Sequence, residues 1–273
     1  MRVLLATDVH VPSPILGTIL EAARASMPDA VIVSGDLTDS GNLGDMERLF
    51  RKLRRAWEGA RLIAVLGNHD LWSRDGDAYS KIERAGRLAE RLGVELLDVV
   101  GRAELGDYDV VGNVGWYDYS FAPGYGEEDY LNCNPYGCGK EWIRANCMGA
   151  FSYCDCPAWF NDCLYVDIDS REFARENKER IRRNMRGRPT ILVTHHVPLR
   201  ELDREDGEDR FFLAFDGQDM SDLAFNGSVK YFAYGHIHER SIPETTVNGV
   251  QFINVYNYQL KARDYASKAL LHL

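Results

Sequence analysis

The sequence predicts an α/β fold, because short apolar segments alternate with amphipathic segments along its first hundred residues. Three apolar segments are predicted strands, and their uniformly apolar or small residues indicate burial on both faces of a sheet. Each of them ends in a cluster of polar residues, which is where open α/β sheets place ligand sites. These strands are predicted at Val3–Thr7, Ala30–Ser34 and Leu62–Leu66.

Amphipathic helices are predicted between and after these strands. In the second of them, Leu49, Phe50 and Leu53 recur at helical spacing with Arg and Glu on the opposite face. Ser170 is the expected N-cap of the last one, because its hydroxyl can accept from an unpaired backbone N–H of the first turn. The predicted helices are Ile15–Ala25, Leu43–Trp57, Tyr79–Leu92 and Ser170–Met185.

The remaining chain is predicted to form mainly short strands broken by Gly, Asp and Asn. Asn248-Gly249, flanked by alternating apolar residues, predicts a hairpin with a type I′ turn, since both residues tolerate a positive φ. The predicted strands are Glu95–Leu97, Arg102–Leu105, Asp109–Val114, Pro189–Thr194, Val229–Tyr234, Ser241–Val247, Val250–Val255 and Ser267–Leu271.

An irregular aromatic segment at about 116–169 interrupts this pattern, and all six cysteines lie within it, between Cys133 and Cys163. Long connections of this kind inside a compact domain are usually functional, as lids or caps. We therefore expect a single domain over residues 1–273 with a cap-like insertion. Disulfides, a zinc site and reduced thiols all remain open for the cysteines. The aromatic rings of the insertion are expected either to form its own core or to stack on a substrate.

Composition excludes several classes of protein. With 273 residues, 45% of them hydrophobic and 27% charged, the chain is neither a disordered tail nor a fibre, and it needs no metal to fold. The net charge of −10 disfavours long nucleic acids and anionic membranes. No segment approaches the roughly 20 apolar residues of a membrane span, and the apolar N-terminus is too short for a signal peptide. A cytoplasmic protein is expected.

Histidines are concentrated at the ends of predicted strands. In Asp8-Val9-His10 and His236-Ile237-His238, the residues two apart point to the same side of an extended turn. Carboxylates, imidazoles and an amide in this number suit two divalent cations. Gly35, Gly67 and Gly235 permit sharp bends and let the ions approach closely, which a Cβ would hinder. The six strand-end histidines are His10, His69, His195, His196, His236 and His238.

Five segments, taken in order, resemble the motifs of the calcineurin-like metallophosphoesterases. They read D-x-H, G-D, G-N-H-D, H-H and G-H-x-H, each following an apolar strand. The resemblance implies a four-layer αββα sandwich, in which helices flank two mixed β-sheets, with a dinuclear metal centre at the strand ends. It implies that one ion is held by Asp8, His10, Asp36 and His238, and the other by Asp36, Asn68, His195 and His236.

The fourth family motif has one histidine, whereas this chain has two. We assign His195 as the ligand because it directly follows the predicted strand. His196 is the alternative ligand, and otherwise a contact to a ligand residue or to the substrate. Mn, Fe and Zn all accept this mixed oxygen and nitrogen donor set.

The resemblance also implies a reaction, in which a metal-activated hydroxide attacks phosphorus. His69 is then the candidate general acid, and Asp70 is expected to orient its ring. Asn68, His196, Arg74 and Arg240 are candidate substrate contacts. The expected function is hydrolysis of phosphomonoesters or phosphodiesters of small molecules or nucleotides. The alternative is a non-catalytic protein-interaction scaffold of the same fold that uses the cysteine-rich insertion.

Overall fold

The computed structural model describes residues 1–57, 59–73, 77–122, 161–204, 210–260 and 262–273. Strands among these residues form two mixed sheets flanked by helices, which confirms the predicted sandwich. The predicted cysteine-rich insertion lies mostly outside the described residues. The strands are β1 Arg2–Ala6, β2 Ala30–Ser34, β3 Arg61–Val65, β4 Val94–Leu96, β5 Arg102–Leu105, β6 Tyr108–Asn113, β7 Thr190–Thr194, β8 Val229–Ala233, β9 Glu244–Val247, β10 Val250–Ile253 and β11 Leu270–His272.

The first sheet has the strand order β11-β1-β2-β3-β4. Strands β1 to β4 are parallel, and β11 closes one edge antiparallel to β1. Ala30 pairs with Val3 on one side and with Arg61 on the other. Because these parallel strands are in register, their carboxyl ends reach the same edge of the sheet, where the first three motifs begin.

The second sheet has the order β5-β6-β7-β8-β10-β9. Its four central strands are parallel, with β5 and β9 antiparallel at the two edges. Asn113 pairs with Thr194, and Val193 pairs with Ala233. The last two motifs therefore also start from one edge of a parallel sheet.

Alternation along the strands explains how both faces of the second sheet are buried. In β7, Ile191 and Val193 join the apolar cluster that contains the first sheet, whereas Leu192 joins a separate cluster on the other face. Ile181, from a flanking helix, packs in that second cluster. The sheets are thus joined face to face by one core and covered outside by helices.

The helices and strands begin and end close to the predicted limits, with three corrections. Asp169, not Ser170, is the N-cap of the charged helix, because its carboxylate accepts from Glu172 N at 3.0 Å. The last strand is shorter than predicted, since a helix runs to Lys268, and β9 starts three residues later than predicted. The helices are α1 Ile15–Ser26, α2 Leu43–Ala56, α3 Asn68–Leu71, α4 Ala78–Arg91, α5 Leu97–Val100, α6 Asp162–Tyr165, α7 Ser170–Asn184, α8 Arg210–Leu213, α9 Ser221–Ala224, α10 Tyr256–Gln259 and α11 Ala262–Lys268, with 3-10 turns at Arg200–Leu202 and His238–Arg240.

The predicted hairpin turn is confirmed, with φ of 50° at Asn248 and 80° at Gly249 between β9 and β10. Several one-turn helices were not predicted, because four residues are too few to show helical periodicity. None of the helices among the described residues is both long enough and apolar enough to cross a bilayer.

Asp98 joins the two sheets at their carboxyl edges. One of its oxygens accepts from Leu66 N at 2.8 Å, directly after β3, and the other accepts from Val114 N at 2.7 Å, directly after β6. Burial raises the pKa of this carboxyl to about 6, although both backbone hydrogen bonds favour its charged form. This side chain therefore links the ends of β3 and β6, close to the strand ends from which the site is built.

We expect Asp98→Ala to lower the free energy of unfolding by about 2–5 kcal/mol, because two buried backbone N–H groups lose their acceptor. Urea denaturation monitored by circular dichroism measures the change. Asp107→Ala, in the exposed turn between β5 and β6, is the matched control. A loss below about 1 kcal/mol, the size of an ordinary surface effect, would contradict the joining role.

Candidate metal centre

Left-handed backbone conformations recur at the strand ends that carry the motifs. Asp8, His10, Asp36, His236 and His238 have φ of 46°, 47°, 47°, 75° and 45°. This region costs an ordinary residue about 1–2 kcal/mol, and such strain clusters at functional sites. Here the chain turns sharply after each strand, so that neighbouring side chains enter the same space between the sheets.

Two glycines allow the backbone to pass directly behind these side chains. A Cβ on Gly67 would overlap the carboxylate of Asp36, and one on Gly235 would overlap the Thr7 hydroxyl and lie 2.8 Å from Asp8 Oδ2. Only glycine fits at both positions, because the close neighbours are side chains of the centre.

One group of donor atoms comes from the first and last motifs. His238 Nε2 lies 3.3 Å from Asp8 Oδ1, and His10 Nε2 lies 3.2 Å from His238 Nε2. His10 Nε2 is also 3.4 Å from Asp36 Oδ2. Four ligands at about 2.1 Å from one ion are spaced roughly 3.4 Å apart in a tetrahedron. The spacing of this group matches a single divalent cation.

A second group lies on the other side of Asp36. His195 Nε2 is 3.3 Å from Asp36 Oδ2 and 3.0 Å from Asn68 Oδ1. Asn68 Oδ1 is 3.1 Å from His236 Nδ1. Asp36 Oδ2 thus lies between both groups, and the structure brings together all seven residues that the resemblance implies as ligands.

Hydrogen bonds on the far side of two imidazole rings set their orientation. His195 Nδ1 donates to Ser34 O at 3.0 Å, and His236 Nε2 donates to Phe215 O at 3.1 Å. When both rings are neutral, as metal ligands must be, the other nitrogen of each presents a lone pair to the centre. Those lone pairs face the oxygen of Asn68, so acceptor faces acceptor. A divalent cation between them satisfies all three atoms, and the donor set fits such an ion.

Electrostatics in the centre depends on close opposite charges. Burial opposes the charge on Asp36, but the adjacent His195 and His69 hold the pKa of that carboxyl well below its usual range. Burial likewise opposes a charged His195, yet Asp36 raises its pKa to about 9. The buried carboxylates therefore require positive charge beside them, which protonated histidine or a cation supplies.

His69 lies at the partly exposed side of the centre. Its Nδ1 donates to the backbone oxygen of Asp39 at 2.8 Å, and its Nε2 lies 3.9 Å from Asp36 Oδ2. One ion could also contact His69 together with His10 and Asp36, since their donor atoms lie within 4.8 Å of one another. A ligand role for His69 is therefore geometrically possible beside the general-acid role.

The expected orientation of His69 by Asp70 is not what the structure shows. The Asp70 carboxylate accepts from Leu37 N at 2.9 Å, Thr38 N at 2.8 Å and Gly67 N at 2.9 Å. It thereby ties the loop after β2 to the loop after β3. The ring of His69 is oriented by the Asp39 carbonyl instead, because the buried backbone N–H groups occupy both Asp70 oxygens.

His196 is fully buried behind the centre. Its Nδ1 donates to Val114 O at 3.1 Å, and its ring lies 4.4 Å from that of His236. Burial and the charge of His195 lower its pKa to about 3, so the ring is neutral. Its contacts place it against His236 rather than among the facing donor atoms, where His195 lies.

Of the two arginines expected to contact substrate, the structure describes only Arg240. Arg74 lies outside the described residues. Arg240 donates to both oxygens of Asp216, at 2.8 and 3.1 Å, and lies 3.3 Å from Asp203. Its guanidinium is committed to these buried carboxylates, so the structure supports an ion-pair role rather than a phosphate contact. Of the cysteines, only Cys163 is described, and its thiol is free.

Several supporting residues were missed by sequence reasoning. Gln259 accepts from Thr7 N at 2.8 Å and donates to Thr7 O at 2.7 Å, next to Asp8. Asn254 donates to Gly235 O at 3.2 Å, next to His236. These amides carry no motif and act across distant parts of the chain, so no sequence signal indicates them.

We expect Gly67→Ala to displace Asp36 and destroy the centre, because the added methyl group has no free space. Divalent-metal content after dialysis against Mn²⁺, measured by plasma mass spectrometry, should fall well below that of the wild type. Gly17→Ala, in helix α1 with open space at its Cβ position, is the control and should bind metal normally. Equal metal content in both variants would show that the close contact is unimportant.

Comparisons with known proteins identify the family and similar folds. A family model of calcineurin-like phosphoesterases matches residues 1–240. The fold is similar to that of a phosphopantetheinyl hydrolase from Mycobacterium tuberculosis, with a TM-score of 0.68 and 21% identity over 96% of this chain and 92% of that one. It is also similar to a dimetal phosphatase from Danio rerio, with a TM-score of 0.51 and 16% identity over 93% and 86% of the two chains. No curated protein matches the sequence. The chain belongs to the calcineurin-like phosphoesterase family and is a hydrolase that acts on phosphoester bonds.

Proposed function

We propose that this hydrolase uses two divalent metal ions, Mn, Fe or Zn, to cleave phosphoesters of small molecules or nucleotides. The observation that carries the proposal is the sharing of Asp36 Oδ2 between two groups of donor atoms. Asp8, His10 and His238 would complete one site, and Asn68, His195 and His236 the other. A cap-like insertion at about 116–169 is part of the same proposal.

The chemistry divides between the ions and the protein. Bound ions would lower the pKa of a water molecule and offset the negative charge of the phosphoryl oxygens. In the reaction a water oxygen bonds to phosphorus, the ester P–O bond breaks, and the leaving oxygen takes a proton. His69 can hold that proton at Nε2, because its Nδ1 is committed to the Asp39 carbonyl.

Charge favours a small substrate. The Asp39 carboxylate lies 3.9 Å from His10 Nδ1, and its side chain is 66% exposed. Together with the net charge of −10, it repels a long polyanion while leaving a short phosphoester free to approach cations in the centre. A test panel should include a phosphopantetheinyl ester, since one structural relative is a phosphopantetheinyl hydrolase.

We expect Asp36→Asn to lose bound metal and at least about 100-fold in kcat on p-nitrophenyl phosphate and on bis(p-nitrophenyl) phosphate, because one shared charged ligand becomes neutral. Metal analysis and steady-state kinetics of the Mn²⁺-loaded proteins measure both effects. Asp107→Asn, an exposed position away from the centre, is the control. Full activity and metal content in Asp36→Asn would refute the dinuclear site. An inactive wild type with metal bound would favour the scaffold alternative.

We expect His69→Asn to keep its metal and to lose about 10²- to 10⁴-fold in kcat on an alkyl phosphate, because a general acid is removed. The loss on p-nitrophenyl phosphate should be smaller, since that leaving group needs little protonation. Comparing the two substrates at saturating Mn²⁺ measures the difference. If metal content falls instead, His69 acts as a ligand and not as the acid.

A further inference from the structure

Asp162 lies at the start of helix α6, far from every motif in sequence, yet it contacts Asn68 of the third motif and Trp72 just after that motif. Its side chain is buried, and its Oδ1 accepts from Asn68 Nδ2 at 2.9 Å and from Trp72 Nε1 at 2.6 Å. One carboxylate oxygen thus binds a residue of the proposed metal site and a neighbour of the proposed acid. Hydrogen bonds to an ionised acceptor are stronger than neutral ones.

The bond to Asn68 determines which amide atom faces the centre. A carboxylate accepts and cannot donate, so it selects the NH₂ group of Asn68. The amide oxygen must then point the opposite way, toward His195 Nε2 and His236 Nδ1. With the amide rotated by half a turn, donor hydrogens would face the centre and no oxygen could bind an ion there. Asp162 thereby holds Asn68 in the orientation that a ligand needs.

The bond to Trp72 acts on His69. The rings of Trp72 and His69 are stacked, with centroids 3.7 Å apart and planes 28° from parallel. Asp162 anchors the indole through Nε1, so the indole plane against which His69 rests cannot rotate freely. His69 is also restrained by its bond to the Asp39 carbonyl and by the edge of the His10 ring, whose centroid is 4.6 Å away. Ring stacking and that bond together keep Nε2 directed toward Asp36.

We propose that Asp162 is a positioning residue for the reaction proposed above, acting on the metal ligand Asn68 and, through Trp72, on the acid His69. Its Oδ1 binds Asn68 and Trp72 and is not one of the donor atoms that face each other in the centre. It makes the end of the predicted insertion part of the machinery that orients the centre. The kinetic part of the inference rests on the proposed hydrolysis, whereas its metal-binding part rests only on the proposed binding of ions at the centre.

The first test measures metal affinity. We expect Asp162→Ala to weaken Mn²⁺ binding by about 10- to 100-fold in isothermal titration calorimetry, because the orientation of Asn68 is no longer imposed. Asp162→Asn keeps an oxygen that accepts both hydrogen bonds, but more weakly, so a smaller loss is expected. Asp167→Ala, an exposed position in the same segment, should bind Mn²⁺ as the wild type does.

The second test measures the dependence on the leaving group. If His69 is misplaced, Asp162→Ala should lower kcat on an alkyl phosphate about tenfold more than on p-nitrophenyl phosphate, since only the alkyl ester needs the acid. Trp72→Phe keeps an aromatic ring over His69 and removes the Nε1 donor. It should shift the same ratio of kcat values while leaving Mn²⁺ affinity unchanged. The two substitutions together should be less than additive, because they break one shared hydrogen bond.

Unchanged Mn²⁺ affinity and an unchanged ratio of kcat values in Asp162→Ala would overturn the inference. If Asp162→Ala fails to fold by circular dichroism, Asp162→Asn and Trp72→Phe decide in its place, and wild-type behaviour of both overturns it. If the wild type hydrolyses none of the esters, the proposed function fails. In that case the calorimetry still tests the contact between Asp162 and Asn68.

Discussion

The buried carboxylate of Asp36 is the constraint on which the centre depends. Its Oδ2 lies 3.4 Å from His10 Nε2, which follows the first sheet, and 3.3 Å from His195 Nε2, which follows the second. A buried charge is tolerated only beside opposite charge and with its hydrogen bonds satisfied. The left-handed turns bring the imidazole rings close to this carboxylate, and Gly67 lets the backbone pass directly beside it.

Other buried carboxylates hold the loops that enter the centre, Asp70 and Asp98 through backbone N–H groups and Asp162 through side chains. Asp70 binds the loops after β2 and β3, Asp98 joins the ends of β3 and β6, and Asp162 binds Asn68. These loops have left their strands, so their N–H groups have no ladder partners and need side-chain acceptors. Some of the chain's acidic residues are therefore buried near the centre and hold its loops in place, rather than lying on the solvated surface.

The part of the chain beyond the family match also supports the centre. The match ends at residue 240, yet Gln259 binds both polar groups of the Thr7 backbone and Tyr265 donates to Leu5 O at 2.6 Å. Stacking adds a further restraint, because Tyr256 lies 4.4 Å from the ring of His238 with the planes 8° apart. Positioning of the first and last motifs thus depends on residues that belong to no motif.

The sequence by itself determined the strands, the principal helices and the set of residues at the strand ends, because periodicity and motif order are local properties of the chain. It also distinguished Gly67 and Gly235 as points of close approach. Only the tertiary structure decided that Asp39 rather than Asp70 orients His69, that Arg240 is held by Asp216, and that Asp162 reaches Asn68. Each of these contacts joins residues that are 24 to 94 positions apart in the sequence. For His69, the structure also decides which of two nearby acceptors its ring binds. A local sequence pattern does not predict such contacts, since they arise from tertiary packing.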